Sequence, residues 1–325
     1  MNMKLKERAQ AQSNGYHDIE GFQRRFNDIA DNVASVVVTS QKNIHLAILG
    51  LFAQGHVLLE DLPGVGKTLL AKTIADSIDG KFSRIQFTSD LLPTDITGTS
   101  VFDMQSQTFE FIPGPVFANV VVADELNRAG PRTQGALLEA MGEGQVTADG
   151  KQWPLPQPFL IVATQNLVEA HGTYPLPNSQ LDRFMISMSL GLPNLEQEVE
   201  ILDRSQRGIT KAGPVATADE IVEMQKTSLS VEVSRPVKEY VVNLASATRD
   251  KDDIIAGVSP RGSAALIRAC QTWAAISGRD FTIPEDVQEL APYVWGHRII
   301  TRPEAEFSSG TMAIFEVLQS VPVPL

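Results

Sequence analysis

Residues 60–68 read Glu60-Asp61-Leu62-Pro63-Gly64-Val65-Gly66-Lys67-Thr68, directly after the apolar run His56-Val57-Leu58-Leu59. A strand running into a glycine turn of this kind makes a phosphate cradle. Gly64 and Gly66 let backbone N–H groups curl around an anion. Lys67 reaches the β- and γ-phosphates, and the Thr68 hydroxyl ligates Mg²⁺. The segment after it, Leu69-Leu70-Ala71-Lys72-Thr73-Ile74-Ala75, has helical spacing and sets a helix N-terminus at the phosphates. Residues 61–69 are therefore expected to bind ATP with Mg²⁺. The strict pattern places a glycine where this chain has Asp61.

A second motif lies downstream at Asn119-Val120-Val121-Val122-Ala123-Asp124-Glu125. An unbroken apolar run fits a strand buried in a parallel sheet. Its two carboxylates fall at the carboxyl edge, where ligands of open α/β sheets bind. Asp124 would hold the Mg²⁺ shell, as the acid after such a strand does in P-loop NTPases. Glu125 would polarise the attacking water as a general base. Thr164-Gln165-Asn166 ends another apolar strand, so Asn166 is expected beside Lys67 and Asp124, holding that water or sensing the γ-phosphate. In Leu181-Asp182-Arg183-Phe184, Arg183 either pairs with Asp182 or reaches a neighbouring subunit's γ-phosphate as an arginine finger. Arg261, in Ser259-Pro260-Arg261, opens a helix where a cation opposes the macrodipole. That misfit favours a role in folding back over the nucleotide.

These residues need a frame. Apolar spacings of three and four predict helices over 19–36 and about 41–54. Strands are expected at 57–60, 84–87, 120–123 and 159–163, with helices at about 67–78, 131–142 and 178–183. The alternation predicts a doubly wound parallel α/β sheet. Residues 97–117 and 144–158 interrupt it as two hairpins, the second turning at Asp149-Gly150. Their aromatics Phe102, Phe109, Phe111 and Trp153 either grip a partner or pack the hairpins onto their own domain. A polar Gly/Pro stretch at 208–214 marks a linker. Beyond it, helices at about 218–227, 235–249, 261–277 and 284–292 predict a smaller all-α domain. The expected organisation is a flexible 1–18, an α/β domain over 19–208 and a helical lid over 209–325.

The 325 residues suffice for about two domains. No apolar run approaches the length of about 20 that spans a membrane. The N-terminus lacks the apolar stretch of a signal peptide, and the single Cys270 fits a reducing compartment. A cytoplasmic protein is expected. A net charge of −12 disfavours nucleic acid as the main partner.

Together and in this order, the motifs resemble the MoxR family of AAA+ ATPases over about residues 20–300. The most specific stretch runs from Ala123-Asp124-Glu125-Leu126-Asn127-Arg128 through Ala140-Met141, with Phe109–Phe117 and Ser259-Pro260-Arg261 in support. The resemblance implies a P-loop α/β domain with an all-α lid. It matches Asn166 to sensor 1, Arg183 to the arginine finger and Arg261 to sensor 2. It implies that the hairpins are pore-facing inserts of a homo-oligomeric, hexameric ring. It also implies a protein client carrying a von Willebrand factor A domain, served in metalloenzyme maturation or envelope stress. Besides Asp61, the chain departs from the family at Ser40, where glycine is usual, and at Leu167, where proline is usual. A nucleic-acid motor and a nucleotide-bound scaffold without turnover are the alternatives.

Overall fold

A computed structural model describes residues 18–62, 64–165, 173–207, 212–305 and 309–324. Helix α1 (Ile19–Val36) is followed by α2 (Gln41–Phe52). Ser40 is the N-cap of α2, its Oγ accepting from Asn43 N at 3.2 Å. That bond accounts for a serine at this place, since an N-cap side chain satisfies an otherwise unpaired amide.

The chain then alternates. Strand β1 (Val57–Glu60) leads to α3 (Lys67–Ser77), β2 (Phe82–Gln86) and the short α4 (Pro93–Thr97). Hairpin strands β3 (Gly98–Asp103) and β4 (Thr108–Pro113) precede β5 (Val120–Asp124) and α5 (Pro131–Glu143). A second hairpin, β6 (Gln145–Ala148) with β7 (Lys151–Pro154), precedes β8 (Leu160–Gln165), α6 (Asn178–Leu181), β9 (Ile186–Met188) and α7 (Leu195–Arg207). Five strands form one sheet in the order β2-β5-β8-β1-β9, and every pair is parallel. Because both faces are covered, the central strands read as continuous apolar runs. Val120–Ala123 and Leu160–Thr164 are buried throughout. One face packs Leu58, Ile85, Val121, Ile161, Leu137 and Phe184 into a single core. Each such side chain contributes roughly 1.5–3 kcal/mol before conformational entropy is charged.

His56 fastens the start of β1. Its Nδ1 accepts from Ile161 N at 3.1 Å and its Nε2 lies 3.2 Å from Met141 O, where it donates. The ring thus carries a sheet bond and a helix contact at once.

The chain divides into two compact units, residues 29–219 and residues up to 28 together with 220–325. The boundary lies beyond the 208/209 point expected from sequence. Asn32 Nδ2 donates to Gly213 O at 2.8 Å, and Val215 N and Ala216 N donate to Ser77 O at 2.9 and 3.1 Å, so residues 213–216 are tied to the α/β unit. The other unit is built from α8 (Ala218–Leu229), α9 (Arg235–Asp250), α10 (Pro260–Ile276), α11 (Pro284–Trp295) and α12 (Gly310–Ser320), with a two-stranded ribbon of β10 (Ile254–Ala256) and β11 (Ile300–Thr301). In it Asp286 caps α11 through Ile283 N at 2.9 Å and takes a two-pronged bond from Arg279, at 2.6 and 3.0 Å. Burial, with Asp286 nearby, pushes the Cys270 thiol well above its ordinary pKa, against a smaller pull from Arg279. It is a core residue of α10, fully enclosed.

Candidate nucleotide site

All five parallel strands point their carboxyl ends the same way, so the ends of β1, β5 and β8 lie at one edge of the sheet. The turn after β1 has Gly64 at φ 90° and Gly66 at φ 92°, both left-handed. A Cβ added at either would meet nothing within 4 Å. Backbone conformation, not crowding, therefore requires glycine here. Gly66 is the N-cap of α3, and the first helical bond runs from Leu70 N to Gly66 O. The amides of Lys67, Thr68 and Leu69 precede it and are left facing outward. Lys67 Nζ donates to the carbonyls of Asp61 and Leu62 at 2.9 and 3.0 Å. Pro63 lies outside the described residues.

The opposite wall is acidic, and each acid is held. Pleating puts Arg84 and Gln86 on one face of β2, and Gln86 is the register partner of Asp124. Arg84 contacts Asp124 Oδ2 at 2.6 and 3.2 Å, and Thr164 Oγ1 donates to Asp124 Oδ1 at 2.7 Å. Glu125 N donates back to Thr164 Oγ1 at 2.8 Å. The Glu125 carboxylate takes Gln86 Nε2 at 2.8 Å and Arg128 Nε at 3.1 Å. Glu125 itself stands at φ 55°, ψ 48°, a left-handed backbone for a residue with a side chain. Behind it, the buried Gln134 donates to the carbonyls of Leu126, Ala129 and Tyr174 and pins the turn that follows.

Between the two walls is a cleft of about 420 Å³, lined by Gly64, Gly66, Lys67, Thr68 and Leu69 on one side and by Arg84, Gln86, Asp124, Glu125 and Thr164 on the other. It shares Gly64, Gly66 and Leu69 with a second pocket of about 400 Å³. That pocket is walled by residues 35–39, by Leu190–Pro193 and by Ile201 and Arg204 of α7. A cationic, amide-rich cradle joined to a largely apolar pocket fits a nucleotide, phosphates in one and base in the other. Thr68 and Asp124, facing across the cleft, form an oxygen donor pair suited to Mg²⁺.

Of the sequence-derived site residues, Asp61, Leu62, Gly64–Leu69, Asp124 and Glu125 come together here. The Asp61 carboxylate is turned away from the phosphate side, toward residues 189–191. Asn166 and Leu167 lie outside the described residues. The Arg183 guanidinium donates to Leu138 O on α5 of its own chain. Among the described residues, it is not in the wall of the cleft. Arg261 is exposed in the first turn of α10, in the helical unit. Sequence reasoning missed Arg84, Gln86, Arg128 and Thr164 as partners of the acids. Two polar residues at alternate positions of β2, beside the acidic strand, were the available signal for the first two.

The hairpins differ from this site in character. Phe102, Phe109 and Phe111 share one face of the first hairpin, since Phe102 pairs with Phe109 in register and Phe111 lies two residues on. Phe111 stacks on Trp153 of the second hairpin at 4.5 Å and meets Phe117 edge-on at 5.7 Å. Phe102 and Phe109 touch each other at 5.2 Å and extend into water, Phe109 being 74% exposed.

Family comparisons agree with this geometry. Residues 56–186 match the ATPase family associated with various cellular activities (AAA), and residues 246–316 match the AAA lid domain. The chain is 43% identical to the YeaC protein of Bacillus subtilis (strain 168), over 91% of this chain and 93% of that one. It is 39% identical to Chaperone MoxR1 of Mycobacterium tuberculosis, over 90% of this chain and 80% of that one. Protein MoxR of Methylorubrum extorquens is 29% identical, over 90% and 93%. A crystal structure of a Cytophaga hutchinsonii protein superposes with a TM-score of 0.88 at 35% identity, covering all of both chains. With a P-loop facing a paired-acid strand, and a region matching the AAA lid domain in the same chain, the chain belongs to the MoxR family of AAA+ ATPases.

Proposed function

We propose that this protein hydrolyses Mg²⁺-bound ATP between the subunits of a cytoplasmic homo-oligomeric ring, a hexamer, and uses the cycle to remodel a protein partner. The observation that carries the reading is the cleft itself. Lys67 and the helix amides face two acids, each already held in place, and the apolar pocket continues from the same glycines. Thr68 and Asp124 would hold the metal, which supplies charge neutralisation at the phosphates. Lys67 binds the phosphates. Glu125, fixed by Gln86 and Arg128, takes the proton of the attacking water, and Asn166 orients that water. Preorganised charge of this kind supplies most of the rate. Arg183 acts on the neighbouring subunit's site, consistent with its place away from its own cleft. Arg261 couples the helical unit to nucleotide state.

On the output side, the relative named as a chaperone, Chaperone MoxR1, supports a protein client; the proposed client carries a von Willebrand factor A domain and is served in metalloenzyme maturation or stress assembly. The hairpin strands add a physical argument. Gly98–Asp103 and Thr108–Pro113 carry Asp103 and Glu110 and no Lys or Arg. Apolar, acidic tips repel nucleic-acid phosphates and suit a protein surface. The decisive experiment measures ATP turnover per subunit from dilute to concentrated protein, with and without DNA. Turnover should rise as rings form, stay indifferent to DNA, and vanish on chelating Mg²⁺. A flat profile would refute the shared site, and stimulation by DNA would favour a motor.

A further inference from the structure

Asp61 occupies the place where the strict phosphate-loop pattern has glycine, and the structure gives it a distinct task. It is 8% exposed. Its backbone is not among those at positive φ, so nothing in its conformation calls for glycine. Its carboxylate is filled by one short stretch beyond β9. Oδ1 accepts from Ser189 Oγ at 2.5 Å and from Gly191 N at 3.1 Å, and Oδ2 accepts from Leu190 N at 2.8 Å. Its main-chain oxygen faces the other way and accepts from Lys67 Nζ at 2.9 Å. Leu190 and Gly191 are walls of the apolar pocket. Leu190 is fastened a second time, its carbonyl accepting from Asn43 Nδ2 at 3.1 Å.

We propose that Asp61 is a positioning residue that ties the phosphate loop to the wall of the base pocket and sets that pocket's shape. The proposal rests on the nucleotide reading above. Direct contact with the nucleotide does not fit, because a carboxylate beside phosphates repels them and both of its oxygens are already engaged. A carboxylate is the suitable group because all three partners are donors and it only accepts. Glycine would leave Leu190 N without its partner and Gly191 N with the Ser189 hydroxyl alone, 3.1 Å away. Asparagine would turn a donor toward one of them.

The test separates the two ends of the ligand. Wild type, Asp61→Ala, Asp61→Asn and Ser189→Ala are titrated calorimetrically with Mg-ADP and with inorganic tripolyphosphate. Hydrogen bonds to a charged group are worth about 1.5–3 kcal/mol, and each 1.4 kcal/mol is tenfold in affinity. Asp61→Ala should therefore weaken ADP about tenfold or more and leave tripolyphosphate within about twofold. Asp61→Asn should lose nearly as much, and Ser189→Ala, which keeps both amide bonds to Asp61 but removes the hydroxyl that Gly191 N also reaches, a few-fold. Ser189→Ala is the mild variant, and its ADP-only loss decides the matter should Asp61→Ala fail to fold. An equal fall for both ligands would make Asp61 part of the phosphate site and overturn the proposal, as would ADP affinity unchanged in every variant. Wild-type protein that binds no ADP would overturn the nucleotide reading as well, which keeps the two failures apart.

Discussion

The acidic end of the cleft and the outer face of the hairpins belong to the same α/β unit and handle their side chains in opposite ways. Around Asp124 and Glu125 each carboxylate has at least two partners. On the first hairpin the rings of Phe102 and Phe109 have each other and water. Groups that must keep one geometry through a chemical step are preorganised. Groups that must meet a variable surface are left uncommitted, at some cost in exposed apolar area. Phe111 and Trp153 mark the border between the two regimes: they lie on the same hairpins yet are spent on each other.

Breaking the comparison starts with the largest expected effect. An arginine supplied in trans is worth roughly 10³–10⁵ in rate. Arg183→Ala should cut turnover by about 10³ or more while ADP affinity stays within a few-fold. Steady-state ATPase beside equilibrium binding checks this, and a fall of less than about tenfold would leave Arg183 with its bond to Leu138 as its whole role. Next comes Glu125→Gln. General base catalysis contributes about 10²–10⁴, so turnover should drop by that much with ATP still bound. Near-parental turnover would show that the held acid is not the base.

The border pair gives a smaller, structural effect. Truncating a buried Phe or Trp costs about 3–5 kcal/mol, and these rings are half-buried, so Trp153→Ala or Phe111→Ala should cost about 2 kcal/mol. Thermal melts read this directly. The smallest effect sharpens the contrast. Phe109→Ala should change stability by no more than about 0.5 kcal/mol. A melting-temperature loss equal to that of Trp153→Ala would mean that the tip is packed after all and that the two regimes are one.

Much of this was legible beforehand because it repeats a local rule. The unbroken apolar runs at 120–123 and 159–163 give buried parallel strands, and the Gly64-Val65-Gly66-Lys67-Thr68 turn gives the cradle. Both hairpins are in place, the second with Asp149 at φ 50° and Gly150 at φ 72° in its turn. What escaped depends on neighbours distant in sequence. Strand β9 has only three residues and exists because β1 pairs with it. Helix α7 was not expected, its Leu195, Val199 and Leu202 being dispersed among acids. Arg84 and Gln86 read as the polar face of an edge strand until register sets Gln86 opposite Asp124. The departure at Asp61 was visible, but its partners lie 128–130 residues away. On the choice between gripping and packing aromatics, Phe111 and Trp153 pack on each other, while Phe102 and Phe109 stay largely exposed.

Glu125 at φ 55° carries one more consequence. A left-handed backbone costs an L-residue roughly 1–2 kcal/mol, and glycine escapes that cost. The bonds of the Glu125 carboxylate to Gln86 and Arg128 are both solvent-accessible, so losing them costs about 0–1 kcal/mol each. Glu125→Gly is thus expected to leave the fold about as durable as the parent while removing the proposed base. Heat selection alone would not guard this position. A thermostability campaign on this chain would have to screen for turnover in parallel, because stability alone sets little value on Glu125, the base proposed above.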